Sequence, residues 1–191
     1  MPAIVSALQG TPGVGAIFTR AAQSGSLDGR VKGTLSFEAG RWTHQRSAQI
    51  LYSPDWTDAP NAFRMQGTSA SNGTAGHGST SPWDVHNTLI AAGPDLKRGL
   101  TLQSPSANVD FAPTFLRLLA LPIPSSMQGR VLQEALAGAP DLEGSAIRTS
   151  THTATSDNGT YAVTATFSIV SSGGRDHRYF DQARVVRSAS R

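Results

Sequence analysis

Apolar positions recur along this chain with two different periods, and each predicts its own kind of element. Toward the C-terminus Tyr161, Val163, Ala165, Phe167 and Ile169 occupy alternate positions, the period of a half-buried strand. The segments Ile147 to Ala154 and Arg178 to Val186 flank it, joined through Ser156-Asp-Asn-Gly159 and Gly173-Gly174, so a three-stranded antiparallel meander is expected. Its Thr-rich faces predict one wet side. In the N-terminal half Ile4, Val5 and Leu8 fall at helical spacing, and Gly13 to Thr19 is a continuous apolar run after a Pro-Gly turn, which reads as a strand. Val31 to Phe37 and Ala48 to Tyr52 read as neighbouring strands. Thr88-Leu-Ile-Ala-Ala92, closed by Gly93-Pro94, reads as a short buried strand of the same sheet as Ala48 to Tyr52.

Helical spacing returns after Asn108. Asp110 is placed to cap a helix running to Ala120, with Pro113 in its first turn. Phe111, Phe115, Leu118 and Leu119 share the face expected to pack on the sheet, and Leu121-Pro122 ends the helix. A second short helix is expected from Arg130 to Ala137. The fold class that follows is α/β, with helices packed on a sheet, followed by a C-terminal antiparallel β meander. Residues 1–140 form the α/β portion and residues 141–191 the strand-rich tail of the same domain.

Composition narrows the picture. A chain of 191 residues, 38% hydrophobic and 15% charged, can bury the core of one domain. The net charge of +3 comes from 16 basic and 13 acidic residues spread along the chain; without a basic cluster, nucleic acid is not an expected partner. No apolar run approaches the roughly 18 residues of a membrane-spanning helix, so no membrane partner is expected. MPAIVSALQG lacks the basic and apolar regions of a signal peptide. The absence of cysteine removes disulfides and thiolate metal ligands from consideration.

The candidate chemistry lies between Gly67 and Pro94. His77 stands between Gly76 and Gly78 in a segment crowded with Gly, Ser and Thr; small neighbours let the backbone bend and leave the imidazole free to face a cleft. It is the candidate metal ligand. Asp84, beside Trp83, is placed to accept backbone N–H bonds and fix the loop that carries His77. His86 is placed to bond within that loop or line the cleft. Asp55 and Asp58 read as solvated turn residues, His152 and His177 as surface positions on strands, and His44 has no visible partner.

These motifs carry a family resemblance. Gly-Thr-x-x-His77-Gly-Ser, then Trp83-Asp84-x-His86, then the apolar run to Gly93-Pro94 resembles the C-terminal part of the alkaline phosphatase superfamily, closest to its phosphodiesterase/nucleotide pyrophosphatase branch and the atypical alkaline phosphatases. Further similar segments follow in order: Arg46-Ser47 leading into Ala48 to Tyr52 and Pro54-Asp55-Trp56; Asn108-Val-Asp110-Phe-Ala-Pro113-Thr114; and Gly129-Arg-Val-Leu132. The resemblance covers Ile4 to Leu136. It implies a partial alkaline-phosphatase-like sheet and a two-zinc hydrolase of phosphate or sulfate esters, in which one zinc activates a threonine or serine nucleophile and the other binds the ester oxygen. His77 is the one ligand carried over, with Asp84 and His86 supporting its loop. The nucleophile and most metal ligands belong to a missing N-terminal portion of that fold. The resemblance therefore implies a portion inactive by itself, a phosphate-ester small molecule as substrate of the complete enzyme, and relatives that are often periplasmic or secreted. The alternative is a non-catalytic binding or structural module that uses its β-rich tail as the interaction surface; an upstream Thr or Ser nucleophile with an Asp-His pair distinguishes the two.

Overall fold

The computed structural model describes residues 1–70, 77–142 and 146–188. It is a mixed α/β structure that ends in a three-stranded antiparallel meander. Two compact units are formed, one from residues 1–87, 151–166 and 180 onward, the other from residues 88–150 and 167–179.

In the first unit, α1 (Pro2–Gly10) opens with proline at the start of its first turn, where the missing N–H costs nothing. It leads into β1 (Val14–Thr19), whose six residues are all buried, as a strand without polar alternation requires. β1 is the centre of its sheet. β2 (Leu35–Ser36) pairs parallel on one side, Phe18 opposite Leu35. After the short α2 (Phe37–Gly40), β3 (Ile50–Pro54) pairs antiparallel on the other, Ile17 opposite Tyr52. The expected pairing of Val31–Phe37 with Ala48–Tyr52 is thus corrected: β1 lies between them. Val31 to Thr34 closes a turn instead, Thr34 N–H donating to Val31 O at 3.1 Å. The β1–β3 register shifts between Val14 and Ile17. At this bulge a Cβ on Gly15 would lie 2.6 Å from Pro54 O, so only glycine lets the two backbones approach.

β4 (Trp56–Thr57) and β5 (Thr68–Ser69) form a small antiparallel ribbon, and α3 (Pro82–Val85) follows. The core of this unit gathers Val5, Ile17, Phe18, Leu35 and Phe37 with Tyr161, Val163 and Ala165 of the meander.

The second unit corrects three expectations. Thr88–Ala92 has no regular structure and is exposed, Ile90 at 87%; among the described residues its backbone finds no hydrogen-bonded neighbour, so no strand forms. α4 (Phe111–Leu118) follows a 3₁₀ turn at Asn108–Asp110, but Phe115 and Leu119 are 60% and 67% exposed and the buried residues are Pro113 and Thr114. The cause is polar: Thr114 Oγ1 donates to Asp110 O and accepts from Leu132 N–H at 3.0 Å, which turns that side inward. Arg130 to Ala137 yields a single 3₁₀ turn, Gln133–Ala135.

The meander consists of β6 (Ile147–Thr155), β7 (Tyr161–Ser172) and β8 (Arg175–Arg187), in that order. Tyr161, Val163, Ala165 and Phe167 are fully buried, as their alternation requires, but the phase then slips, and Val170 rather than Ile169 is buried.

Candidate functional site

The segment carrying His77 is anchored on both sides. Before it, β5 pairs with β4 and Ala70 N–H donates to Asp55 O at 2.7 Å. Gly67 adopts φ +78° and faces Trp83 so closely that a Cβ would lie 2.5 Å from the indole, a position open only to glycine. After it, Thr80 is buried: its Oγ1 meets Ser53 Oγ at 3.0 Å and donates to Ala183 O at 3.2 Å, while Ala183 N–H donates to Thr80 O at 3.0 Å. Trp56 Nε1 donates to the same Ala183 carbonyl at 2.8 Å. Ser81 then caps α3, its Oγ accepting from Trp83 N–H at 3.2 Å, with Pro82 following as a first helical residue should.

Asp84 sits in the first turn of α3 and accepts Ser79 N–H at 2.5 Å. The carboxylate thereby closes the loop two residues from His77. His77 is exposed, lies outside regular structure, and makes no hydrogen bond or ion pair with another described residue. His86 is largely exposed and its Nε2 is 3.7 Å from Asp181 Oδ1. Of the Gly-Thr-x-x-His-Gly-Ser motif, residues 73–76 lie outside the described residues. Among the described residues no three His, Cys, Asp or Glu side chains are grouped to hold a metal ion. A zinc centre takes three or four protein ligands, and Asp84 Oδ2 already accepts from Ser79 N–H. The donor set present supplies one imidazole and does not fit a complete two-zinc site.

The aspartates read as solvated turn residues are paired. Asp58 binds Arg184 and accepts from Trp83 Nε1 at 3.4 Å; the Arg184 hydrogen bond holds its carboxyl below the ordinary value. The Arg184 guanidinium lies 4.1 Å from the centre of the Trp56 ring. Asp55 accepts from Arg187, whose Nε also holds Gln9 O at 2.9 Å. Arg184 and Arg187 of β8 therefore tie the Asp55–Asp58 segment to the strand. His152 Nε2 is 3.0 Å from Asp28 Oδ1.

In the second unit a buried polar cluster escapes sequence reasoning. Arg130 and Glu134 are 1% and 2% exposed and joined through two hydrogen bonds, Nη2–Oε1 at 2.7 Å and Nη1–Oε2 at 2.9 Å. Ser104 Oγ donates to Glu134, Arg130 Nη2 reaches Pro105 O at 2.8 Å, and Arg130 Nε reaches Tyr179 Oη at 2.9 Å. Asp110 is a correction too. Its carboxylate does not cap α4; it accepts from Ala107 N–H and Arg130 N–H, both at 2.8 Å, and from Tyr179 Oη at 3.0 Å. Burial works against the charge on Glu134, yet the bonds from Arg130 and Ser104 outweigh it and hold the carboxyl low. Burial raises the Tyr179 phenol. The cluster is satisfied and leaves no open position for a ligand. Its one sequence signal is Arg-x-x-x-Glu at helical spacing.

No protein-family model, curated protein or solved structure matches this chain.

Proposed function

We propose that this chain is the C-terminal portion of a zinc-dependent phosphoric-ester hydrolase of the phosphodiesterase/nucleotide pyrophosphatase or alkaline phosphatase type, to which it contributes His77 as a metal ligand and no catalytic residue. The observation that carries the proposal is an imidazole that has no hydrogen-bond or ion-pair partner among the described residues, in a segment whose described flanks, Thr68–Ala70 and Ser79–Ser81, are held by hydrogen bonds. A histidine serving the local core would be packed or bonded; one that must reach an ion shared with other ligands has to stand free on a rigid base. In this reading Asp84 keeps the loop closed through Ser79 and does not touch the metal.

A second feature supports the reading. Thr88–Ala92, an apolar run of the kind buried in parallel sheets, is exposed, with no backbone hydrogen bond to another described residue, and α4 turns Phe115 and Leu119 outward. Surfaces of this sort await a covering layer. The substrate of the complete enzyme is a phosphate-ester small molecule, and the nucleophile and remaining ligands are supplied by the N-terminal portion of the fold.

The expected result for the purified chain is no turnover of an aryl phosphate, aryl phosphodiester or aryl sulfate in excess zinc. Zinc-dependent turnover that disappears in His77→Ala would show that the chain assembles a complete site and would overturn the proposal.

A further inference from the structure

His177, read from the sequence as a surface residue, is 3% exposed. Its Nε2 faces Arg175 Nε at 3.3 Å, and a guanidinium can only donate, so that nitrogen carries the lone pair and the ring is neutral. The same guanidinium donates through Nη2 to Met127 O at 3.1 Å and Gly129 O at 3.0 Å. Gly129 in turn stands so close to the 3₁₀ turn that a Cβ would lie 1.9 Å from Val109 O, and the next amide, Arg130 N–H, is the one held by Asp110. His177 thus orients the arginine that fastens the Met127–Gly129 segment to β8, next in sequence to Arg130 of the buried Asp110–Arg130–Glu134 cluster.

We propose that His177 is an acid-operated latch: protonation at Nε2 removes the acceptor of Arg175, sets a cation on the buried imidazole against the guanidinium of the exposed Arg175, and releases Met127–Gly129 from β8. The charged groups around the ring are Arg175 and Asp176 on its own strand and Asp110 from the 3₁₀ turn, with the backbone of Gln128 and Ser172 also bonded to it. Burial and then Arg175 hold the imidazole below its ordinary value, against the opposing effect of the two backbone bonds and Asp110. A histidine depressed in the folded state stabilises it fully above the unfolded value and loses that contribution as pH falls through the folded one. The latch is closed at neutral pH and opens in the acid range.

Hydrogen exchange on the full chain tests this, read at the Arg130 amide and corrected for intrinsic rates. Between about pH 7.5 and about pH 5 protection falls by roughly tenfold or more in the wild type, and stays within about twofold in His177→Gln, whose carbonyl still accepts from Arg175 but does not titrate. Equal loss in both proteins, or none in either, overturns the latch. If the glutamine variant does not fold, NMR titration of the His177 ring in the wild type decides. The midpoint of ring protonation coincides with the rise in Arg130 exchange if the latch exists; protonation with no such rise overturns it.

Discussion

At the scale of single residues, the side chains that decide most about stability are the buried polar ones. Arg130 and Glu134 are nearly inaccessible, and removing one partner of such a pair leaves the other charge buried and unpaired. Glu134→Gln is expected to lower stability by about 3–5 kcal/mol, a loss read by denaturant unfolding. The exposed Lys97–Asp141 pair sets the scale for comparison, at about 1 kcal/mol or less for Lys97→Ala. Because the Glu134 carboxyl is held low in the fold, its contribution is present above the unfolded carboxylate value and is lost as pH falls through the depressed one. None of this cluster was legible in the sequence beyond the i,i+4 spacing, since Asp110, Arg130 and Tyr179 are far apart along the chain and meet only through tertiary packing. His177 was misread for the same reason: alternation along β8 places it on a face, but what covers that face comes from Met127–Gly129. Asp84 was readable because its partner, Ser79, is local.

Among elements, legibility follows how far the determinants are spread. β1 and the three strands of the meander stand where their periodicity put them, because a strand's period and its turn residues are contiguous. Strand partners were less visible: nothing in Val31–Phe37 or Ala48–Tyr52 shows that β1 lies between them. α4 was placed correctly and turned wrongly. Its amphipathic stripe of Phe111, Phe115, Leu118 and Leu119 suggested the inward face, whereas bonds from Thr114 to Asp110 and Leu132 set the helix the other way. The exposed apolar positions should then add little to this chain's own stability. Ile90→Ser and Phe115→Ser are expected to change the unfolding free energy by no more than about 0.5 kcal/mol. Val163→Ala, in the buried row of β7, should cost about 2 kcal/mol or more. A large loss from either serine variant would mean that those faces are packed within the chain in solution.

For the molecule as a whole, the proposed function rests on a family resemblance spread over motifs in series, and it requires ligands and a nucleophile beyond His77. The described residues group no metal-holding set, and no helix among them is long and apolar enough to cross a membrane. Among the described residues, His77 is exposed without a hydrogen-bond or ion-pair partner, and Ile90, Phe115 and Leu119 are exposed apolar positions; in the proposed reading a complementary portion of the fold would use both. The most direct measurement joins the two. The chain is fused behind the nucleophile-bearing N-terminal portion of an alkaline phosphatase superfamily phosphodiesterase, and zinc-dependent hydrolysis of an aryl phosphodiester is followed with His77 intact and as His77→Ala. The account predicts turnover by the intact fusion and a loss of about a hundredfold or more in the variant, the scale on which metal sites respond when their support is removed. A folded fusion that is inactive, or one whose turnover is the same with and without the His77 imidazole, would contradict it.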